Sequence, residues 1–188
     1  MRNNTRALIF HILIIFITFA IAALINLSSS MRNLVYGNIF FKIIIAAVIV
    51  VLYYNFGKLL SKRNAKSLDF FAGNLIVLIG LVFFAFGFLG LGKEIFSRSV
   101  GGSYWKFPLE FFLMPEVYAI KVLGINYNAL SLLVASLLPG FIYGVSIKIS
   151  RAKLIRRNRA RNRVKKKREE MWENHIINTI QKNFIIIL

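Results

Sequence analysis

Long uncharged stretches alternate with short polar ones along this chain, and the uncharged stretches have the length of membrane spans. Ala7 to Leu27 is a run of 21 residues without a charge, and Phe70 to Leu91 is one of 22. At 1.5 Å rise per residue, about 20 residues cover the ~30 Å hydrocarbon core of a bilayer. A weaker span extends from Ile39 to Phe56. Lys42 near one end can snorkel its ammonium to the headgroups, and Tyr53 and Tyr54 near the other suit an aromatic belt. The last span runs from Ala129 to Ile147 with Pro139 inside it, which is tolerated when neighbouring helices re-satisfy the freed carbonyl. The pattern predicts an all-α, polytopic integral membrane protein, a bundle of four transmembrane helices at about 7–27, 39–56, 70–91 and 129–147.

Two stretches complicate the pattern. Phe107 to Gly124 is apolar enough to suggest a fifth helix, but it holds Glu110, Glu116 and Lys121 as well as Pro108 and Pro115. A charge at the bilayer centre costs about 2.5–3.5 kcal/mol on insertion scales. The segment 107–124 is therefore expected to lie at the outer interface, or to re-enter it only shallowly, with Tyr104 and Trp105 as anchors. The first span competes with a cleaved signal peptide, because Ala20-Ile21-Ala22 resembles a small-x-small cleavage site. Its apolar run exceeds the usual signal core of about 7–15 residues, which favours a retained span.

Composition agrees with this class and narrows it. Hydrophobic residues make up 57% of the chain and charged ones only 17%, yet the net charge is +18. With 18 Phe, disorder is excluded, and with no Cys so are disulfide scaffolds, zinc-thiolate sites and thiol redox chemistry. An excess of Ile, Asn, Lys and Phe, residues of AT-rich codons, hints at a bacterial source.

The charges are also unevenly placed. With four spans, 19 of the 25 Lys and Arg fall on one side: those of the N-terminus, of the loop from Gly57 to Leu68, and of everything after Ile147. The positive-inside rule then puts both termini in the cytoplasm and the protein in the cytoplasmic membrane. A fifth span would export the basic tail. Two domains follow: a four-helix transmembrane domain at 1–150 and a basic cytoplasmic tail at 151–188.

Small residues mark the expected helix-packing faces. Ser136, Gly140 and Gly144 recur every fourth position in the last span, and Gly73, Gly80 and Gly87 every seventh in the third. Lipid gives helices no hydrophobic reason to associate, so close approach along such ridges must supply the affinity. His11, Thr18, Ala22 and Asn26 align on the first span, and the three faces are expected to meet inside the bundle. A homodimer or a partner membrane protein is the competing use of these ridges. Of the intramembrane polar groups, His11, Asn26, Lys42 and Asn74 all sit towards span ends, which suits interfacial or helix-bridging roles better than transport.

The tail carries the densest charge. From Arg151 to Arg168, eleven of eighteen residues are basic: Arg151, Lys153, Arg156, Arg157, Arg159, Arg161, Arg163, Lys165, Lys166, Lys167 and Arg168. With Trp172 they are candidates for contact with anionic lipid headgroups, at about 1 kcal/mol per basic residue, or with a partner protein. Nucleic acid is disfavoured, because stacking aromatics are not interleaved. Trp172, Ile176, Ile180, Phe184 and Leu188 recur every four residues and predict a terminal amphipathic helix on the inner membrane face.

No nucleophile elbow, zinc-protease motif or phosphate loop occurs, and no internal repeat aligns. Glu110 and Glu116 lack a neighbouring His or nucleophile in sequence, so they are expected to be solvated on an amphipathic loop, with Glu116 and Lys121 offsetting each other. No catalytic residue, metal ligand or cofactor site is assigned. The expected function is that of a non-enzymatic accessory or interaction subunit working through helix packing and its basic tail. A permease or channel component for a small solute is the alternative.

Overall fold

The computed structural model of the chain describes residues 3–60, 71, 73–96 and 103–187. It is 92% helix, and the described residues contain no strand. The α-helices in chain order are α1 Asn3–Asn26, α2 Ser29–Gly37, α3 Ile39–Leu60, α4 Asn74–Leu91, α5 Phe107–Phe112, α6 Met114–Leu123 and α7 Ala129–Ile187, with a 3-10 turn at Gly92–Phe96 after α4. Four of them, α1, α3, α4 and α7, are long and apolar enough to cross a membrane. The chain divides into two compact units, Met1–Ile149 and Ser150–Leu188.

Within the first unit each long helix is apolar on every side, and packing selects one stripe from it. On α1 the buried residues are Ala7, His11, Ile14, Ile15, Thr18 and Ile25, and on α3 they are Ile49, Tyr53, Gly57 and Leu60. These three- and four-residue spacings are those of one helix face. The other faces leave large apolar side chains uncovered, including Phe16 at 60% and Leu89 at 85% exposure. Such wide apolar surfaces are uncommon on monomeric soluble proteins.

The helix ends follow from local chemistry. Asn38 Oδ1 accepts from the Phe40 N–H at 2.9 Å and so caps the start of α3. Asn128 and Ser131 form a reciprocal box at the start of α7, each side-chain oxygen accepting the other's backbone N–H at 2.9 Å. Gly124 ends α6 at φ 73°, a left-handed cap that a Cβ would strain. At the far end of α3, Lys58 donates to Asn55 Oδ1 at 2.9 Å and lies 4.3 Å above the Tyr54 ring, so the helix extends past Phe56 to Leu60.

Two features depart from the sequence pattern. The stretch after α1 is a separate helix, α2, rather than a bare loop, and Tyr36 ties it down. Asn26 Nδ2 donates to Ala22 O at 2.7 Å and to Tyr36 Oη at 3.2 Å, and the Tyr36 and Tyr118 hydroxyls are 3.0 Å apart. The stretch 107–124 is also more than a surface segment. Its two short helices, α5 and α6, are packed among the long ones: α6 against α1 and α3, and α5 against α4.

The small-residue ridges serve contacts within the chain. A Cβ at Gly73 would fall 2.5 Å from the Gly140 Cα, and one at Gly80 would meet Ser136 and Leu113 at 3.5–3.6 Å. Gly87 faces Ile95 and the Trp105 carbonyl, and Gly144 is buried on the same stripe of α7 as Ser136 and Gly140. Trp105 stacks at 4.6 Å on Phe86, while Tyr104 is almost fully exposed.

The second unit is helical, and its basic residues point outward. Lys153, Arg156, Arg157, Arg159, Arg161, Arg163, Lys165, Lys166, Lys167 and Arg168 are exposed, Arg151 is half-buried, and Trp172 is exposed. Lys165–Glu169 and Lys166–Glu170 are ion pairs at 3.8 and 3.9 Å on an exposed helix face. The side chains of Ile176, Ile180 and Phe184, together with Leu188, lie outside the described residues, as do Lys62, Arg63, Lys66, Asp69 and Phe70 of the sequence argument.

Candidate functional site

The break between α5 and α6 organises the polar interior. Pro108 and Pro115 each stand at the start of a short helix, where a missing N–H costs nothing. Between them Leu113, at φ −92° and ψ 20°, closes one helix and opens the next. Its side chain settles against the small residues Gly80 and Ser136. The Leu113 N–H closes α5 by donating to Leu109 O at 2.9 Å, and the Phe112 carbonyl at the very end is left to find a partner elsewhere.

His11 supplies it from α1. Its Nε2 donates to the Phe112 carbonyl at 2.9 Å, and the Tyr53 hydroxyl lies 2.7 Å from its Nδ1. A carbonyl only accepts, so Nε2 carries the proton, Nδ1 accepts, and Tyr53 is the donor. The imidazole is fully buried and also packs on the Phe112 ring at 4.6 Å. One side chain thus joins three elements, α1, α3 and the end of α5. Its place near a span end suggested that water was close; instead it is a buried bridge.

Glu116 lies in the first turn of α6. It is 4% exposed, and neither carboxyl oxygen has a well-formed hydrogen bond among the described residues. The Tyr53 hydroxyl, spent on His11, is near enough to influence the carboxyl without bonding to it in good geometry. The hydroxyl of Tyr143, whose ring meets that of Tyr53 edge-on at 5.4 Å, is likewise buried and unpartnered. Burial is the largest influence on the Glu116 carboxyl and lifts it to about 8, against weaker opposing pulls from Tyr53 and its own backbone N–H.

Glu110 is buried too, and its Oε1 is well partnered, while Oε2 has no hydrogen-bond partner among the described residues. Lys106 Nζ is 3.2 Å and Lys121 Nζ 3.7 Å from its Oε1, and the Tyr127 hydroxyl donates to the same atom at 2.6 Å. Lys106 also stands 4.6 Å over the Tyr127 ring. Burial, and then the bond to Glu110, hold the Tyr127 phenol well above its usual range. The expectation of two solvated carboxylates is therefore corrected, and so is the pairing, since Lys121 goes to Glu110. Glutamates on opposite sides of Pro115 belong to different helices and enter different surroundings.

A cavity of about 490 Å³ adjoins Glu116, lined by α3, α6, the loop 124–128 and α7. Asn126, Asn128, Ser131 and Glu116 are polar residues of its lining, and Ala46, Ile49, Val50, Ile120, Val134 and Leu138 form apolar walls. Glu116 is the ionisable residue in this lining. The cavity lies between the second and fourth long helices, against α6. Among the described residues no three of His, Asp and Glu come together as a metal site.

Sequence reasoning missed Tyr53 and Tyr143 as site residues and undervalued His11 and Glu116. A usable signal was present, since two Pro seven positions apart mark two helix starts rather than one loop. Comparison with protein-family models, with curated proteins and with solved structures finds no match to this chain.

Proposed function

We propose that the chain is a four-span integral protein of the cytoplasmic membrane, with both termini cytoplasmic, and that it serves as a permease or channel component for a small solute. The observation that carries this reading is Glu116, a buried carboxyl without a well-formed partner among the described residues, in the lining of a cavity of about 490 Å³. Ionisable groups at membrane depth are costly and are kept where they line a pathway. Broken helices at that depth are tolerated where they line a cavity or are buried in protein, and solute sites are often built at such breaks. In this topology the loop 124–128 faces outward, the cavity is an outer vestibule, and Tyr143, Tyr53 and His11 continue inward from its floor. The α5–α6 pair is then a re-entrant element rather than an interfacial one.

The chain has no Cys, so single cysteines give a clean test. We expect Ser131→Cys, Val134→Cys and Glu116→Cys to react with a small membrane-impermeant thiol reagent added outside intact cells, at falling rates with depth. Leu132→Cys, buried in the helix contacts, stays silent. Reaction at Ser131→Cys alone would sink the reading.

A second reading, an accessory subunit that binds anionic headgroups or a partner membrane protein through its tail, is favoured by the exposed basic side chains from Lys153 to Arg168. Silence of the two deeper cysteines would leave this reading standing.

A further inference from the structure

Resting on the reading of Glu116 as a solute site, we infer that the solute is a lipophilic monocation bearing N–H donors, a protonated amine on an apolar body, and that it enters in exchange for the proton of Glu116. Two of the three uncharged polar residues in the lining are already engaged with each other. Asn128 and Ser131 bond to each other's backbone, and the Ser131 hydroxyl donates to Asn128 O at 2.9 Å. What is left to specify a ligand is the Glu116 carboxyl in the lining, whose two buried oxygens have no hydrogen-bond partner among the described residues.

These atoms are acceptors in a carboxylate, and they match N–H groups. An anion would meet the carboxyl with like charge, and a neutral hydrocarbon would leave it as unsatisfied as before. An isolated carboxylate in such surroundings is prohibitively costly, so the empty site holds the acid form. When an ammonium arrives, the carboxyl O–H breaks, its proton leaves to water, and the carboxylate accepts an N–H from the cation. The site stays neutral in both states, so neither leaves a net charge buried. The titratable groups facing Glu116 are Tyr53 of α3 and Tyr143 of α7, with His11 of α1 behind Tyr53, while Lys121 of α6 is held by Glu110. None supplies a competing cation. The apolar walls receive the body of the ligand, and the volume falls within the roughly 300–1,000 Å³ of small-molecule sites.

The test titrates 4-phenylbutylammonium into the full chain in lipid nanodiscs near neutral pH, by calorimetry in two buffers of different ionisation enthalpy. The expected result is saturable binding with release of about one proton per ligand, and a loss of about tenfold or more in affinity for Glu116→Gln. Ala46→Phe fills the cavity and keeps the carboxyl, and it too should lose binding at an unchanged melting temperature. Equal binding of the neutral 4-phenylbutanol overturns the assignment, as does undiminished amine binding in Glu116→Gln. The two readings fail separately. Amine binding with proton release but silent deep cysteines removes the pathway and keeps the ligand class. Reactive cysteines without amine binding keep the pathway and remove the ligand class.

Discussion

Two tyrosines close together in the interior have opposite expected costs. Tyr53 donates to His11 Nδ1, so Tyr53→Phe leaves a buried acceptor bare and breaks the orientation of the imidazole that holds Phe112. Hydrogen bonds between membrane helices are worth about 0.6 kcal/mol on average and up to about 1.7, and the bare acceptor adds to that. Tyr53→Phe should therefore lower the melting temperature in mild detergent. Tyr143 has a buried hydroxyl with no partner, so Tyr143→Phe removes an unmet demand and should leave stability level or raise it. A matching loss from both substitutions would contradict the bond pattern.

At the level of elements, the start of α4 and α7 approach closely at Gly73 and Gly140. Gly73→Leu must push α4 and α7 apart, and overpacking of this kind costs about 1–3 kcal/mol or more. Gly37, at the end of α2, has nothing within 4 Å of a Cβ placed on it. Gly37→Ala should be neutral or gain up to about 1 kcal/mol from the less flexible unfolded chain. Thermal midpoints of the two variants check both directions.

The elements were unequally legible in the sequence. The four long helices were, because an uncharged run of span length has few alternatives. The α5–α6 pair was not, because insertion scales weigh Glu110, Glu116 and Lys121 as if each faced lipid alone. In the folded chain Glu110 meets Lys106, Lys121 and Tyr127, and those partners lower a cost that was reckoned for isolated charges. The His11–Phe112 bond spans 101 positions, beyond the reach of any local pattern. The small residues were legible as packing surfaces, but that Leu113 would be seated against Gly80 and Ser136 was not.

For the molecule as a whole, burial of Glu116 couples folding to pH. The carboxyl titrates near 4.5 when unfolded and near 8 when folded, so between these values the folded protein holds the extra proton. The Glu116 contribution to stability is then greatest below 4.5, declines as pH rises through the interval, and levels off above 8. Denaturation midpoints in detergent across this range should trace the decline, and Glu116→Gln should flatten it. A slope unchanged in the variant would assign the effect to another group.

The bond between His11 and Phe112 has a further consequence for how the molecule is made. The imidazole belongs to α1, and the carbonyl it satisfies follows 101 residues later in synthesis. A nascent chain halted short of Phe112 keeps an imidazole N–H in apolar surroundings with no acceptor, a deficit of about 1–3 kcal/mol. The bond therefore distinguishes a chain that has been made past Phe112 from one that has not.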